Sequence, residues 1–192
     1  MNEKDDVVEI VDSRNEGLTT KRLSPVYGEM IQIEKSHLDV WGHTNNVCYV
    51  QWMQDVAVAH SAAIGWDSKR YLEHQTIWVV RSHTVNYRRS TYLGDKILVQ
   101  TWIAEMKRAS CLREYRFIAL PKDVTETEIR NAVGFASYDD FKFPKESLIA
   151  TAETQWAFVS TQTLRPVKVN PELCEIFQKS SGSLACYPRM EK

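Results

Sequence analysis

A carboxylate, an imidazole and two amides crowd into one short polar stretch, Asp39-Val40-Trp41-Gly42-His43-Thr44-Asn45-Asn46. Aspartate and histidine both move protons in catalysis, and aspartate also serves as a nucleophile. A helical period begins directly after these residues, so they sit beside backbone N–H groups that have no partner within the helix. Such donors polarise a carbonyl or hold an oxyanion. The chemistry open to this arrangement is attack on an activated carbonyl. The plainer alternative has weight, because an aspartate just before a helix is usually a cap or a turn residue. His43 suits a loop-holding hydrogen bond as well as proton transfer, and Gly42 suits a tight turn. Asn45 and Asn46 can cap the helix and shape the loop with their side chains. Tyr49, one turn into the helix, more often packs than reacts. Cys48 has no base paired with it in sequence and reads as a small buried residue.

Several elements must position this stretch. Val26 to Glu34 alternates as a strand, with Ile31 and Ile33 two apart. After the polar loop, Val47, Val50, Met53, Ala57, His60 and Ile64 recur at helical spacing. Asn45 or Asn46 is the cap and Gly65 the terminator. Ala57, Ala59, Ala62 and Ala63 spread around this helix, which therefore expects cover on more than one side. Gln75 to Arg88 is rich in β-favouring residues, and Gly94-Asp95 turns the chain. Ile97, Val99, Thr101 and Ile103 then alternate with Leu98, Gln100, Trp102 and Ala104. Lys107 to Ser110 is a turn into a strand carrying Arg113, Tyr115, Phe117 and Ala119. Pro121 to Asp140 reads as too polar for core, a long excursion with room for a short helix. Leu148 to Val159 is the last strand, and Asn170-Pro171-Glu172 starts a terminal helix running to about Lys179. Consecutive strands without crossover helices favour an antiparallel sheet, here packed on one long helix in an α+β fold.

The totals narrow the function classes. At 192 residues, with 26% charged residues and a formal charge of -1, the chain fits one globular domain. No global field invites nucleic acid or an anionic membrane. Residues 1–17 hold six acids against Lys4 and Arg14, so the mild basic surplus lies in the remainder. The four cysteines (Cys48, Cys111, Cys174, Cys186) show no metal spacing and make a disulfide framework improbable. MNEKDDVVEIVD lacks the apolar run of a signal peptide, and no segment reads as a membrane span. The expectation is a cytoplasmic protein. Residues 1–22 read as a flexible acidic extension, within which Val7, Val8, Ile10 and Val11 could form a short strand.

The extended pattern Asp39-x-x-Gly42-His43-Thr44-Asn45-Asn46-x-x-Tyr49 resembles the signature of hot-dog thioesterases related to 4-hydroxybenzoyl-CoA thioesterase. The likeness runs through the following helix and strands over roughly residues 26–170. It implies a hot-dog fold, with a curved antiparallel sheet wrapped around one long central helix at residues 23–168. A short helix and tail at 169–192 follow. It also implies acyl-CoA hydrolysis, with Asp39 as nucleophile or general base and the Asn46 N–H as oxyanion donor. His43 is a further candidate for the chemistry. Gly42, Asn45, Tyr49 and the run Arg88-Arg89-Ser90-Thr91 are candidates for substrate contact, the arginines through coenzyme A phosphates. Arg81, Lys107 and Arg108 are further cations near those strand ends. The substrate brings coenzyme A, and no separate cofactor or metal is expected.

Three departures from the signature stand out. Thr44 replaces the common Val, Gln54-Asp55-Val56-Ala57-Val58 carries one acid and no Arg, and the 121–140 excursion is long. Hydrolysis of an acyl-carrier-protein thioester and non-catalytic thioester binding are the alternatives. A dehydratase ranks lower, because that class commonly spaces Asp and His by five positions. A single sheet leaves edges exposed, which with the family's habit predicts a homodimer or a dimer of dimers. His60 falls on the periodic helix face and reads as a satisfied core residue, and His83 could face either pocket or packing. Trp41, Trp52, Trp78 and Trp102 could line a pocket or fill a core.

Overall fold

The computed structural model describes residues 25–135 and 144–179. The expected acidic extension at 1–22, with its short strand, and the Ser180–Ser183 tail lie outside the described residues. In chain order the elements are β1 (Tyr27–Gln32), α1 (Asn46–Ala63), α2 (Ser68–Glu73), β2 (Thr76–Tyr87) and β3 (Lys96–Met106). Then follow β4 (Ser110–Ala119), α3 (Glu126–Ala132), β5 (Leu148–Ser160) and α4 (Pro171–Lys179). The five strands form one antiparallel sheet in the order β1-β3-β4-β5-β2. β2 precedes β3 in sequence yet lies at the far edge, paired only to β5. This is the hot-dog architecture that the sequence implies.

α1 packs on the sheet face formed by Ile97, Val99 and Ile103 of β3, Tyr115 and Phe117 of β4, and their neighbours. Its buried residues include Tyr49, Trp52, Met53, Val56, Ala57 and His60. Val47, expected on the core face, is instead 70% exposed. A helix that is apolar on several sides has no unique inner face in its sequence; the sheet selects one. Both ends follow their local signals. The Asn45 side chain accepts from Val47 N–H at 3.0 Å, and Gly65 takes a positive φ of 84° beyond the last turn.

Two features go beyond the sequence reading. β3 is buried on both faces, with Leu98 against Ile118, Leu120 and Ala132, and Trp102 against Val26. The chain after Pro121 is the reason. α3 forms there, held by a Thr125–Glu128 capping box, and its Ala132 is fully buried over the outer sheet face. The expectation that this excursion stays out of the core is corrected for this part. Gly28 and Gly134 exchange two backbone hydrogen bonds, and a Cβ on Gly28 would stand 2.8 Å from the Ala132 carbonyl oxygen. α2 was not anticipated either, although Asp67 caps it by accepting from Arg70 N–H. α4 packs Leu173 and Phe177 into the main core, with Asn170 capping its first turn through Glu172 N–H.

Candidate active site

The loop between β1 and α1 is tied off at its own ends. Asp39 N–H donates to the His43 carbonyl at 2.8 Å, and Gly42 N–H donates back to the Asp39 carbonyl at 3.1 Å. Gly42 supplies the positive φ of 81° that this reversal needs. Asp39 Oδ1 accepts two more backbone bonds, from Trp41 N–H at 2.9 Å and His43 N–H at 3.0 Å. One carboxylate oxygen thus shapes the turn, as aspartate commonly does. The other, Oδ2, accepts no hydrogen bond among the described residues. Half-buried Asp39 is therefore rigid without being consumed by the loop.

A layer of hydroxyls lies beneath. Tyr49 O–H lies 3.2 Å from Thr91 Oγ1, Thr91 Oγ1 donates to Thr44 Oγ1 at 2.7 Å, and Thr44 Oγ1 donates to the Thr91 carbonyl at 3.1 Å. Thr44, the departure from the usual Val, is built into this chain and pins the loop to the segment after β2. Burial pushes the Tyr49 phenol above its ordinary pKa, the Thr91 hydrogen bond opposing, so Tyr49 stays a neutral donor or acceptor.

Above this layer opens a cleft of about 250 Å³ lined by Asp39, His43, Asn46, Tyr87, Arg88 and Arg89, among others. Asn46 is the first residue of α1, and its N–H makes no hydrogen bond among the described residues. Asn45 turns its side chain to the cap, and the His43 ring stands edge-on to Tyr92, 5.2 Å between centroids. The cleft gathers Asp39, His43, Asn46, Tyr49, Arg88, Arg89 and Ser90, while Gly42 and Asn45 shape the loop behind it. Thr91, expected beside the arginines as a nucleotide contact, is 1% exposed and spends its hydroxyl on Thr44 and Tyr49. Arg81, Lys107 and Arg108 do not line the cleft; Lys107 pairs with Glu105 at 3.2 Å. His83 Nδ1 meets Thr154 Oγ1 at 2.8 Å on the sheet.

Sequence reasoning missed Tyr87. Its hydroxyl donates to the Asn46 carbonyl at 3.3 Å and its ring stands edge-on to Tyr49. The signal was its place directly before Arg88-Arg89. Cys48 is half-buried, with its thiol raised by burial and directed at the His37 carbonyl, which argues against a thiolate nucleophile. No cluster of His, Cys, Asp or Glu able to hold a metal is found among the described residues.

A carboxylate oxygen and the first N–H of a helix, each without a hydrogen-bond partner among the described residues and from residues lining one cleft, are equipment for attack on a carbonyl. Residues 33–177 match the thioesterase-like superfamily. The chain belongs to that superfamily. It is a thioester hydrolase. No curated sequence matches it, but its fold is shared with solved thioesterases. A DHNA-CoA thioesterase from Staphylococcus aureus is 18% identical with a TM-score of 0.62, covering 81% of this chain and 91% of that one. A 1,4-dihydroxy-2-naphthoyl-CoA thioesterase from Synechocystis is 10% identical, with a TM-score of 0.60, covering 80% and 96%. An acyl-ACP thioesterase from Bacteroides thetaiotaomicron is 18% identical, with a TM-score of 0.57; the match covers 75% of this chain and 49% of that longer one. At such identities the likeness to these thioesterases is one of fold. Among the described residues, no helix is long and apolar enough to cross a membrane.

Proposed function

We propose that this thioesterase hydrolyses an acyl-CoA to a free carboxylic acid and CoA, with Asp39 as catalytic carboxylate and the Asn46 N–H as oxyanion donor. One observation carries the reading: Asp39 and Asn46 line the same cleft, and neither Asp39 Oδ2 nor the Asn46 N–H has a hydrogen-bond partner among the described residues. Oδ2 takes a proton from water as the water oxygen bonds to the thioester carbon. Alternatively Oδ2 bonds to that carbon itself, and water then cleaves the resulting anhydride. In either route the carbonyl electron pair moves onto the oxygen facing Asn46 N–H, and the C–S bond then breaks. The leaving thiolate is protonated, a task within reach of His43. A well-aimed oxyanion donor supplies about 3–4 kcal/mol, and a positioned base roughly a hundred- to ten-thousand-fold in rate. Arg88 and Arg89, exposed at the rim, offer forked donors to coenzyme A phosphates. No cofactor enters this scheme, because coenzyme A arrives as part of the substrate, and we place the reaction in the cytoplasm.

The test is a hydrolysis panel of short, long and aromatic acyl-CoAs with wild type and Asp39→Asn. Turnover falls about a hundredfold or more in the variant while substrate binding is kept. Near-normal turnover would remove Asp39 from the mechanism, and wild-type affinity without turnover would make the protein a thioester binder. Single turnover in ¹⁸O-water separates the two roles of Asp39, since only the nucleophile route labels its carboxylate. The same panel on acyl-carrier-protein thioesters tests the runner-up reading, in which the rim arginines meet an acidic carrier.

The working unit in this proposal is a homodimer. β2 is an edge strand with no buried side chain along its length, and Val40, Trp41 and Val47 beside the cleft are 70–89% exposed. Unpaired edges and clustered apolar side chains both favour association. Light scattering on the eluting protein reads a dimer mass or a multiple of it; a monomer at micromolar concentration would refute the dimer.

A further inference from the structure

A second cavity, of about 360 Å³, lies toward the opposite end of α1 from Asn46. Its α1 wall is Gln54, Ala57, Val58 and Ser61, roughly 12–22 Å along the axis from Asn46 at ~1.5 Å per residue. Trp66, Tyr71, Trp78, Trp156 and Phe177 supply its aromatic walls. The volume falls at the lower end of the range for organic-ligand sites, and the lining is mainly apolar with few polar groups, as such sites require.

Arg113 of β4 lies in this apolar lining and is only 4% exposed. Its Nη1 meets His60 Nδ1 at 2.9 Å and Thr101 Oγ1 at 3.3 Å. No carboxylate pairs with it among the described residues, and Nε and Nη2 make no hydrogen bond there. Neighbouring Glu114 accepts from Trp102 Nε1 instead. Burial, then the adjacent guanidinium, hold His60 well below its ordinary pKa, so it is a neutral acceptor and cancels no charge. In the same lining Trp66 Nε1 and Thr76 Oγ1 are buried without partners among the described residues. A guanidinium stays ionised in proteins and is costly to bury unpaired. Its planar fork matches a carboxylate. One cation in apolar walls selects a single negative charge; a phosphate dianion would leave charge uncompensated.

We propose that this cavity binds an organic monocarboxylate, its carboxylate held by the free edge of Arg113 and its apolar body packed among Trp66, Trp78 and Phe177. Occupancy does not depend on turnover at Asp39. The site is distinct from the catalytic cleft and offers a place for a regulatory or retained acid.

Calorimetric titration of the full chain with 1-naphthoate and octanoate, against 1-naphthamide and octanamide, tests this. The acids bind at least tenfold more tightly than the amides. Arg113→Gln removes that preference. Ser68→Trp, on the exposed first turn of α2 at the cavity wall, blocks acids and amides alike with the circular dichroism unchanged. Asp39→Asn binds the acids as wild type does. Equal affinity for acid and amide, or no acid binding by wild type, overturns the proposal, as does acid binding that survives Ser68→Trp but is lost in Asp39→Asn. Should Arg113→Gln fail to fold, the acid–amide comparison and Ser68→Trp still decide.

Discussion

The two ends of α1 use opposite physics. At its start, a polar loop and an uncapped N–H open to solvent, and reactive groups are held by backbone hydrogen bonds within a few residues. Toward its far end, a guanidinium is sunk among aromatic rings that come from the α1–α2 connection, α2, β2, β5 and α4. The first end is rigid because its turn is locally closed. The second is specific because leaving a charge there without a partner is expensive. Hydrolysis needs preorganised donors and one water brought to the reacting carbon, whereas capture of an anion by a buried cation gains strength as bulk water is excluded.

Asn46→Pro should break the comparison hardest. Proline fits the first helical position, and Asn45 already has the extended backbone (φ -64°, ψ 134°) that a following proline demands. The change deletes only the N–H in question, and kcat falls roughly a hundred- to thousandfold. Asn46→Ala, which keeps the N–H, falls far less, and naphthoate binding at the far cavity is unchanged in both. Equal losses in the two variants would assign the role to the side chain.

At the other end, His60 sets a pH dependence. In the unfolded chain it takes a proton near its ordinary value of 6.5, while in the fold burial and Arg113 keep it neutral. The unfolded state therefore binds the extra proton, and stability present above pH 6.5 is lost as pH falls, until folded His60 itself protonates. The slope reaches at most about 1.4 kcal/mol per pH unit. Urea unfolding at descending pH shows it, and His60→Gln, which keeps an acceptor for Arg113, flattens it. An unchanged slope in His60→Gln would place the titration elsewhere.

The smallest effect sharpens the catalytic end. Arg88→Ala with Arg89→Ala raises KM for acyl-CoA about five- to tenfold at low salt and leaves kcat nearly unchanged. An acyl-N-acetylcysteamine, which lacks the phosphates, shows no change. A matching rise for both substrates would mean that the arginines support the cleft rather than hold the nucleotide.

The catalytic end was legible because it is local. Asp39, Gly42 and His43 are tied to one another, and Asn45 to Val47, by bonds spanning a few residues, so their spacing carried the geometry. Strand alternation and the Asn45 and Gly65 signals likewise fixed where α1 begins and ends. The burial of Thr91, the inner face of α1 and the covering of the outer sheet face by Ala132 were not legible. Each depends on which distant segment arrives to pack. Val47 shows the point: it obeys the helical period and still faces water, because α1 is apolar on several sides and only the sheet chose among them.

By itself the sequence determined the local frame of the proposed site: a carboxylate held by one turn and the helix whose first N–H follows it. Tertiary structure alone decided that Arg113, one of a row of alternating strand residues, should be buried beside His60 with no acid to answer it among the described residues. Short-range hydrogen bonds are encoded by spacing, whereas the surroundings of a buried charge are set by elements far apart in the chain.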